Sequence, residues 1–513
     1  MMADRSIIKD VYFWERIGYR NAWVTVTQFP LAYMLAMKTN PIGLTTGISH
    51  ERLNWLHRWV ARTMFVTATV HGFHFWTEWV LADYVEKQLK NVSMIKYGLG
   101  AWAILLWNVV TGFYPIRSLA YEVFVLQHVA STVILIWVVH MHVPPEAQYH
   151  VWFAVALVVF DRVCRWALLA FRNLKVKKGT MRCEGKRRIG HDALVLPVGK
   201  SISLVTLKGV HFKWRAGQHL YLWVPSIGPI EAHPYTIACA HQVAGECCCN
   251  SIELVVRRHG GFSKRLYNAA KKEAEGGRQL RVAAFVSGPF GNPPRWDTYD
   301  TLILISASTG ASFTLPILES VVRSDRKTCV RRIDFILTAR KAEEIEFYVQ
   351  RLRDALVKGR EKGIELHAHV AITGCCEPNE KREPSNTDSD ANGSSLSLGS
   401  PRKRTVASQD GHQDPDRDAE KGVAGVISPI LTSRSSDSGN IGLYREYSCR
   451  LDISPHIRDP VEAAYGETAV AVCGGRPLVA KVRNAVASLS DERAVHKGTG
   501  AQGIHLHVEE YSF

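Results

Sequence analysis

The sequence lacks the cysteine spacing of zinc-binding proteins and the apolar N-terminal run of a cleavable signal peptide. None of its 11 cysteines is separated by two residues from another, the C-x2-C spacing of zinc sites, so we predict no zinc motif. The first residues, MMADRSIIKDVYFWER, contain no continuous apolar run, and we therefore expect no cleavable signal peptide. The cysteine runs at 247–249 and 375–376 are consistent with a reducing cytosolic environment.

The chain has an excess of basic residues, with a formal net charge of +15. Many of these residues gather directly after the last apolar segment, at Arg172, Lys175, Lys177, Lys178, Arg182, Lys186, Arg187 and Arg188. A basic cluster beside an apolar segment is typical of the cytoplasmic face of a membrane. We therefore expect a membrane lipid partner and no nucleic-acid binding.

The first third of the chain is predicted to cross a membrane. Five apolar segments are long enough, or nearly so, to span a hydrocarbon core of about 30 Å; they run roughly over 20–38, 55–80, 98–116, 122–143 and 148–170. The first is the weakest, because Gln28 and Pro30 interrupt it. With the basic cluster inside, alternation makes 55–80 and 122–143 run parallel, both from inside to outside.

Two of these segments carry histidines at the same interval. His57 and His71 are fourteen residues apart, as are His128 and His142. Fourteen residues fall about 40° short of four helical turns and rise about 21 Å, so each pair lies on nearly one helix face. Polar side chains inside a bilayer usually face the protein interior or a ligand.

The repeated interval predicts two haem sites. Two parallel helices place His57 beside His128 and His71 beside His142, and each pair can offer two imidazoles to one iron. Bis-histidine ligation leaves no open iron position, which suits electron transfer. His140 is the alternative to His142, although it lies about 120° off the face of His128, and His74 is the alternative to His71.

The remainder of the chain predicts two further domains. Short β-rich segments such as SISLVTL and SIELVVRR follow residue 185 and are typical of an antiparallel barrel. From about residue 299 strands alternate with helical segments, as in a parallel sheet with crossovers. The stretch at about 376–440 is rich in Ser, Asp, Gly and Pro, and we interpret it as a disordered insert.

Several motifs in these domains resemble those of the fungal ferric reductase family, which is related to the NADPH oxidases. They are HPYTIA at 233–238, SGPFG at 287–291, the nucleotide region, the carboxyl end and the paired-histidine spans. The resemblance implies an α-helical transmembrane bundle binding two haems (1–175), a ferredoxin-reductase-like β-barrel FAD domain (180–295) and an α/β nicotinamide-nucleotide domain (296–513). Family members usually carry one or two further spans before the region that resembles 20–38.

The resemblance also implies which residues bind FAD. Tyr235 would stack on the flavin and Thr236 would bond near its ring nitrogens, with His233 and Pro234 lining the same strand. Gly261, Phe262 and Ser263 would lie at the pyrophosphate, because a helix N-terminus suits anions. SGPFG, with Gly288, Pro289 and Gly291, would form the turn that links the flavin and nicotinamide domains.

The nicotinamide site follows from the same resemblance. The segment SASTGASFTLPIL, with Thr309, Gly310 and Ser312, would hold the dinucleotide pyrophosphate on free backbone amides, although Ala311 stands where the family usually has glycine. Arg340 would meet the 2′-phosphate of NADPH. Cys473, followed by Gly474, would touch the nicotinamide, and Phe513 would stack on the flavin.

These expectations combine into one function. NADPH would deliver a hydride to FAD on the cytosolic side, and two b-type haems would carry single electrons to an external ferric chelate, siderophore or cupric ion. The alternatives are an NADPH oxidase that makes superoxide and a haem-binding membrane module whose dehydrogenase half has decayed. The plasma membrane is the expected location, with the vacuolar membrane as the alternative.

Overall fold

The computed structural model describes residues 13–46, 48, 50–174, 188–229, 231–241, 250–325, 327–375, 443–495 and 503–510. Four features discussed above lie outside these residues: most of the basic cluster after residue 170, the cysteine run at 247–249, the insert at 376–440 and Phe513.

Eight helices form the first part of the described chain. They are α1 (Phe13–Ala36), α2 (Pro41–Thr46), α3 (His50–Leu81), α4 (Val85–Asn91), α5 (Ser93–Thr111), α6 (Tyr114–Leu119), α7 (Tyr121–His142) and α8 (Gln148–Asn173). The five predicted segments are confirmed as helices α1, α3, α5, α7 and α8, although α1, α3 and α5 begin several residues earlier than expected and α5 also ends earlier.

The two interruptions in the first segment do not end its helix. Pro30 lies inside α1, and the Gln28 amide is satisfied because Nε2 donates to Val24 O at 2.8 Å while Oε1 accepts from Thr63 of α3 at 2.8 Å. A polar residue of this kind is tolerated in an apolar helix when its hydrogen-bonding groups find partners.

The outer faces of these helices carry many large exposed apolar side chains, including Phe73, Leu126 and Trp166. An exposed apolar surface on this scale indicates contact with lipid. By length and hydropathy, Ser93–Thr111 and Val123–His142 qualify as candidate membrane spans within the described residues.

An antiparallel sheet follows the helices. Its strands are β1 (His191–Val198), β2 (Ile202–Val210), β3 (His219–Trp223), β4 (Ala232–Thr236), β5 (Asn250–Arg257) and β6 (Leu280–Phe290), in the order β4-β3-β6-β1-β2-β5. A bridge between Ile237, just after β4, and Leu254 of β5 joins the two edges of the sheet. Helix α9 (Gly261–Glu275) packs against β1, β2 and β6.

The expectation that SGPFG forms a linking turn is wrong for most of its length. Ser287 to Phe290 continue β6, where Ser287 pairs with Tyr221 and Phe290 with His219 of β3. The ladder hydrogen bonds to β3 keep this Gly-Pro segment extended, with an irregularity in register between His219 and Tyr221 that accommodates the proline.

The last helix of the first part is joined directly to the antiparallel sheet. Asn173, at the end of α8, donates from Nδ2 to Val286 O at 2.8 Å and accepts from Val286 N at 2.9 Å. Its side chain is buried and satisfies both backbone groups of one residue of β6.

A parallel sheet flanked by helices completes the described chain. It contains β7 (Thr301–Ala307), α10 (Ala311–Arg323), β8 (Arg332–Ala339), α11 (Glu346–Glu361), β9 (Glu365–Ile372), β10 (Leu443–Tyr447), α12 (Ile453–Glu462), β11 (Thr468–Gly474), α13 (Arg476–Val495) and β12 (Ile504–Glu510), with strand order β10-β9-β8-β7-β11-β12. Leu302 and Leu304 of β7 belong to the core under α10 and α11, and Ile303 and Ile305 to the core under α12 and α13. The predicted parallel sheet is confirmed.

Candidate functional site

Four histidines on α3 and α7 form two imidazole pairs. The ring centres of His57 and His128 are 6.5 Å apart, and those of His71 and His142 are 6.0 Å apart. The structure therefore brings together the residues that the fourteen-residue interval paired.

The spacing within each pair fits a metal ion between the two rings. A bond from an imidazole nitrogen to a first-row metal such as zinc is roughly 2.0–2.1 Å long, so two such bonds on opposite sides of one ion place the ring centres about 6 Å apart. Within the described residues no group of three or more His, Cys, Asp or Glu side chains could hold a metal. Two protein ligands per metal are what a bis-histidine haem requires.

Each of the four imidazoles is oriented through its Nδ1 atom. His57 Nδ1 donates to Ala32 O at 2.8 Å and His71 Nδ1 donates to Gly18 O at 3.0 Å, both on α1. A metal-binding histidine usually donates its second ring N–H in this way, which fixes the tautomer and leaves Nε2 for the metal.

The α7 histidines are held by α5. His128 Nδ1 donates to Asn108 Oδ1 at 3.1 Å, and His142 Nδ1 donates to Met94 O at 2.9 Å. Gly98 leaves room for the second ring, since a Cβ at this position would lie 2.5 Å from His142 Cε1.

The two alternative histidines face indole rings instead of a second imidazole. His74 lies against Trp14 with ring centres 5.4 Å apart, and its Nδ1 donates to Val70 O within α3. His140 lies against Trp152 at 5.3 Å. The geometry favours His71 and His142.

Residues of the antiparallel sheet, of the parallel-sheet domain and of α3 line a cavity of about 420 Å³. Three residues of the predicted flavin strand, Pro234, Tyr235 and Thr236, line it, as does Gly291. Burial raises the pKa of the Tyr235 hydroxyl, which therefore stays protonated and able to donate a hydrogen bond. These side chains could hold a planar aromatic ring.

His233 is not among the residues that line this cavity, and its ring lies at the start of α9. Its ring stacks on Phe262 with centres 4.9 Å apart, and its Nε2 lies 3.1 Å from Glu231 Oε2. Hydrogen bonds from His233 and then Arg265 lower the pKa of the Glu231 carboxyl. The predicted FAD residues thus form two adjoining groups, one at the cavity and one at Gly261, Phe262 and Ser263.

The glycines of SGPFG permit close backbone approach. Gly288 has φ of 135°, and a Cβ there would lie 3.2 Å from the Leu220 backbone. Gly291 has φ of 93° and lines the cavity. Pro289 stands between them on β6.

The predicted pyrophosphate loop and the predicted nicotinamide cysteine lie in direct contact. Ser308–Gly310 form a short turn before α10, and Thr309, Gly310 and Ser312 therefore lie at the N-terminus of that helix. A Cβ on Gly310 would lie 2.4 Å from Cys473 O and 3.3 Å from Cys473 Sγ. Burial raises the pKa of the Cys473 thiol, so it is neutral, and Gly474 ends β11 beside it.

Arg340 follows β8 at the same edge of the sheet. Ligands of open α/β sheets bind outside the carboxyl ends of the strands, where Arg340, Cys473 and the Gly310 loop all lie. Arg340 is exposed, and its backbone packs closely against Gly374, where a Cβ would lie 2.1 Å from Arg340 O.

Most of the residues that line the cavity were not predicted from the sequence, among them Arg52, Phe313 and His507. The rings of Phe313 and His507 are stacked nearly parallel, with centres 5.6 Å apart. Because the two residues are far apart in the sequence, no local pattern indicated that their rings meet. The position of His507 on the predicted last strand is the one sequence feature that could have indicated its place in the site.

The fold and site define a class of protein: a helical membrane component with paired histidines, followed by flavin-binding and nicotinamide-nucleotide-binding domains. Three family models match the chain in series: "Ferric reductase like transmembrane component" over 21–139, "FAD-binding domain" over 191–294 and "Ferric reductase NAD binding domain" over 299–487. The chain belongs to the ferric reductase family.

Relatives that are named as ferric reductases occur in fungi. The probable cell surface ferric reductase kap2 of Aspergillus oryzae is 26% identical over 70% of this chain and 48% of its own length. Ferric/cupric reductase transmembrane component 2 of Schizosaccharomyces pombe is 24% identical over 73% of this chain and 70% of its own length. The chain thus spans about half the length of the first relative. A solved ferredoxin reductase of carbazole 1,9a-dioxygenase aligns with 63% of this chain and 69% of its own, at 14% identity and a TM-score of 0.34.

Proposed function

We propose that this chain is an NADPH-dependent ferric-chelate reductase of a cell membrane, which moves electrons from the cytosolic face to an external ferric or cupric acceptor. The proposal includes the domain limits 1–175, 180–295 and 296–513, with all five long helices crossing the membrane. The names of the relatives support ferric and cupric acceptors, and "cell surface" in one of those names supports the plasma membrane.

The observation that carries the proposal is a series of three sites along one helix. Arg52 of α3 lines the cavity, His57 follows it by about 7.5 Å along the helix axis, and His71 lies about 21 Å further on. Each histidine faces a partner on α7. A flavin cavity and two metal sites in sequence suit the movement of electrons across a bilayer.

The residues of the nucleotide domain would position NADPH. Thr309, Gly310 and Ser312 would offer backbone amides to the pyrophosphate, and Arg340 would offer a guanidinium to the 2′-phosphate. Contact between Gly310 and Cys473 would place the nicotinamide beside the neutral thiol, at the edge of the cavity.

The residues of the barrel and of the membrane helices would bind and orient the other cofactors. Pro234, Tyr235 and Thr236 would hold FAD, and the carbonyl acceptors on Nδ1 would keep each Nε2 turned toward haem iron. When bound, FAD and haem supply the change from two-electron to one-electron chemistry.

Haem content of single variants tests the two-site proposal. We expect the purified full-length protein to contain two haems per chain, and His142→Ala to retain only one. His140→Ala is the matched control, because its ring faces Trp152, and we expect it to retain both. Two haems in His142→Ala, or one in His140→Ala, would contradict the assignment.

A further inference from the structure

The membrane helices contribute a charged side chain to the flavin cavity. Arg52, in the first turn of α3, and Ile48, just before that helix, line the cavity together with Tyr221 and Tyr235 of the antiparallel sheet. Arg52 therefore belongs to the helix that carries His57 while facing the site of another domain.

Arg52 is held in place by the last strand of the nucleotide domain. Its Nη2 atom lies 3.4 Å from Val508 O and from His507 Nε2, and 3.7 Å from Glu509 Oε1. All of these contacts use one nitrogen. A guanidinium has five N–H donors, and the Arg52 side chain is 51% exposed, so donors remain for a group inside the cavity.

The chemistry of hydride transfer explains why a fixed positive charge matters here. A hydride brings two electrons and one proton to the flavin ring, and the ring gains one negative charge unless it takes up a second proton. Charge next to the ring nitrogens tunes the flavin, and an arginine remains protonated throughout the physiological pH range.

We infer that Arg52 stabilises the reduced, negatively charged flavin ring, so that the membrane helices raise the midpoint potential of the flavin that feeds them. The inference rests on the proposed function, in that FAD occupies this cavity. Glu509 also lines the cavity, and its carboxylate acts in the opposite direction.

The test is a redox titration of the flavin in full-length, detergent-purified protein, together with the affinity for oxidised FAD. In Arg52→Gln we expect oxidised FAD to bind within twofold of the unmodified protein and reduced FAD to bind about tenfold more weakly. For a two-electron couple that tenfold change lowers the midpoint potential by about 30 mV.

Three further variants make the test specific. Arg52→Lys keeps the charge and is expected to restore most of the potential, whereas Glu509→Gln is expected to raise it. Arg278→Gln is the matched control, because Arg278 is exposed, pairs with Glu273 of α9 and does not line the cavity. We expect this variant to leave the midpoint potential of the flavin unchanged.

An unchanged potential in Arg52→Gln, or a fall in Arg52→Lys as large as in Arg52→Gln, would overturn the inference and leave the proposed function intact. Unmodified protein that binds no FAD would overturn the proposed function and the inference together.

Discussion

Gly98 of α5 lies directly against the imidazole of His142 on α7. A Cβ at residue 98 would lie 2.5 Å from His142 Cε1 and 2.8 Å from its Nδ1, closer than non-bonded atoms approach. The imidazole of His142, which pairs with His71, can therefore occupy this position only because residue 98 is a glycine and has no Cβ.

This contact predicts a selective loss of one haem. In Gly98→Ala the methyl group displaces the His142 ring and disturbs its hydrogen bond to Met94 O. We therefore expect the protein to lose most of the haem that His71 and His142 would hold and to keep the haem that His57 and His128 would hold. Gly100→Ala on the same helix is the control, since its Cβ would make an ordinary 3.5 Å contact with Val138. Haem per chain and the visible spectrum measure the result; equal haem content in both variants would refute the contact's role.

A second prediction concerns the contact between Gly310 and Cys473. Gly310→Ala would place a methyl group 2.4 Å from Cys473 O, which forces the pyrophosphate loop away from β11. We expect KM for NADPH to rise at least tenfold while FAD content stays unchanged.

The control for this loop variant is Gly503→Ala, where the nearest atom to the new methyl is Glu467 Oε1 at 3.9 Å. Steady-state kinetics with NADPH measure both variants. A normal KM in Gly310→Ala would show that the loop does not bind the nucleotide.

A buried ion pair of the nucleotide domain extends to the antiparallel sheet. Arg351 of α11 donates to both oxygens of Glu319 on α10, at 2.6 and 2.9 Å, and to Glu253 of β5 at 2.9 Å. Glu319 is only 1% exposed, and its one other cation, among the described residues, is Arg323, whose Nη2 lies 3.6 Å from Oε1. Arg351→Met would therefore remove both short hydrogen bonds from a buried carboxylate.

Removing one partner of a buried pair costs roughly 3–5 kcal/mol. We expect Arg351→Met to melt several degrees lower than the unmodified protein by thermal denaturation in detergent. The double variant Arg351→Met, Glu319→Leu should recover part of the loss, because no buried charge remains. A double variant that melts at a lower temperature than Arg351→Met would show that the buried charge is not the cause of the lost stability.

The stability of the nucleotide domain should depend on pH through His369. Burial is the main reason that the pKa of His369 falls to about 4, and nearby positive groups add to it; those groups are His456, His367, Arg445 and Arg332. Its Nδ1 also contacts the Tyr447 hydroxyl at 3.0 Å.

Because the unfolded chain binds this proton near pH 6.5 and the folded chain only near pH 4, stability falls as the pH drops from about 6.5 to about 4. Above pH 6.5 this histidine contributes no pH dependence. We expect His369→Gln to flatten the melting temperature over that interval, and an unchanged slope would contradict the prediction.

Elements with a local periodic signal could be predicted from the sequence. The interval between His57 and His71 identified one helix face, and the β-rich composition of short segments such as SISLVTL identified the strands. SGPFG was misassigned because its Gly and Pro favour a turn locally, while pairing with Tyr221 and His219 extends the strand.

The residues of the site that the sequence did not predict depend on contacts between segments that are far apart in the sequence. Arg52 and His507 are more than four hundred residues apart, yet their side chains meet. Likewise, the histidine Nδ1 atoms donate mostly to backbone carbonyls such as Ala32 O. Every residue has such a carbonyl, so the sequence does not show which one accepts the hydrogen bond. Packing of α1 and α5 against α3 and α7 sets these partners.

We propose that electrons move from NADPH to an external metal ion through this chain. The most direct test is to add NADPH to the purified protein under anaerobic conditions, follow the haem absorption, and then add a ferric chelate or, separately, oxygen. We expect the haem to become reduced, to be reoxidised rapidly by the ferric chelate and to react slowly with oxygen without forming superoxide. Rapid superoxide formation would identify an oxidase instead, and haem that NADPH never reduces would contradict the account.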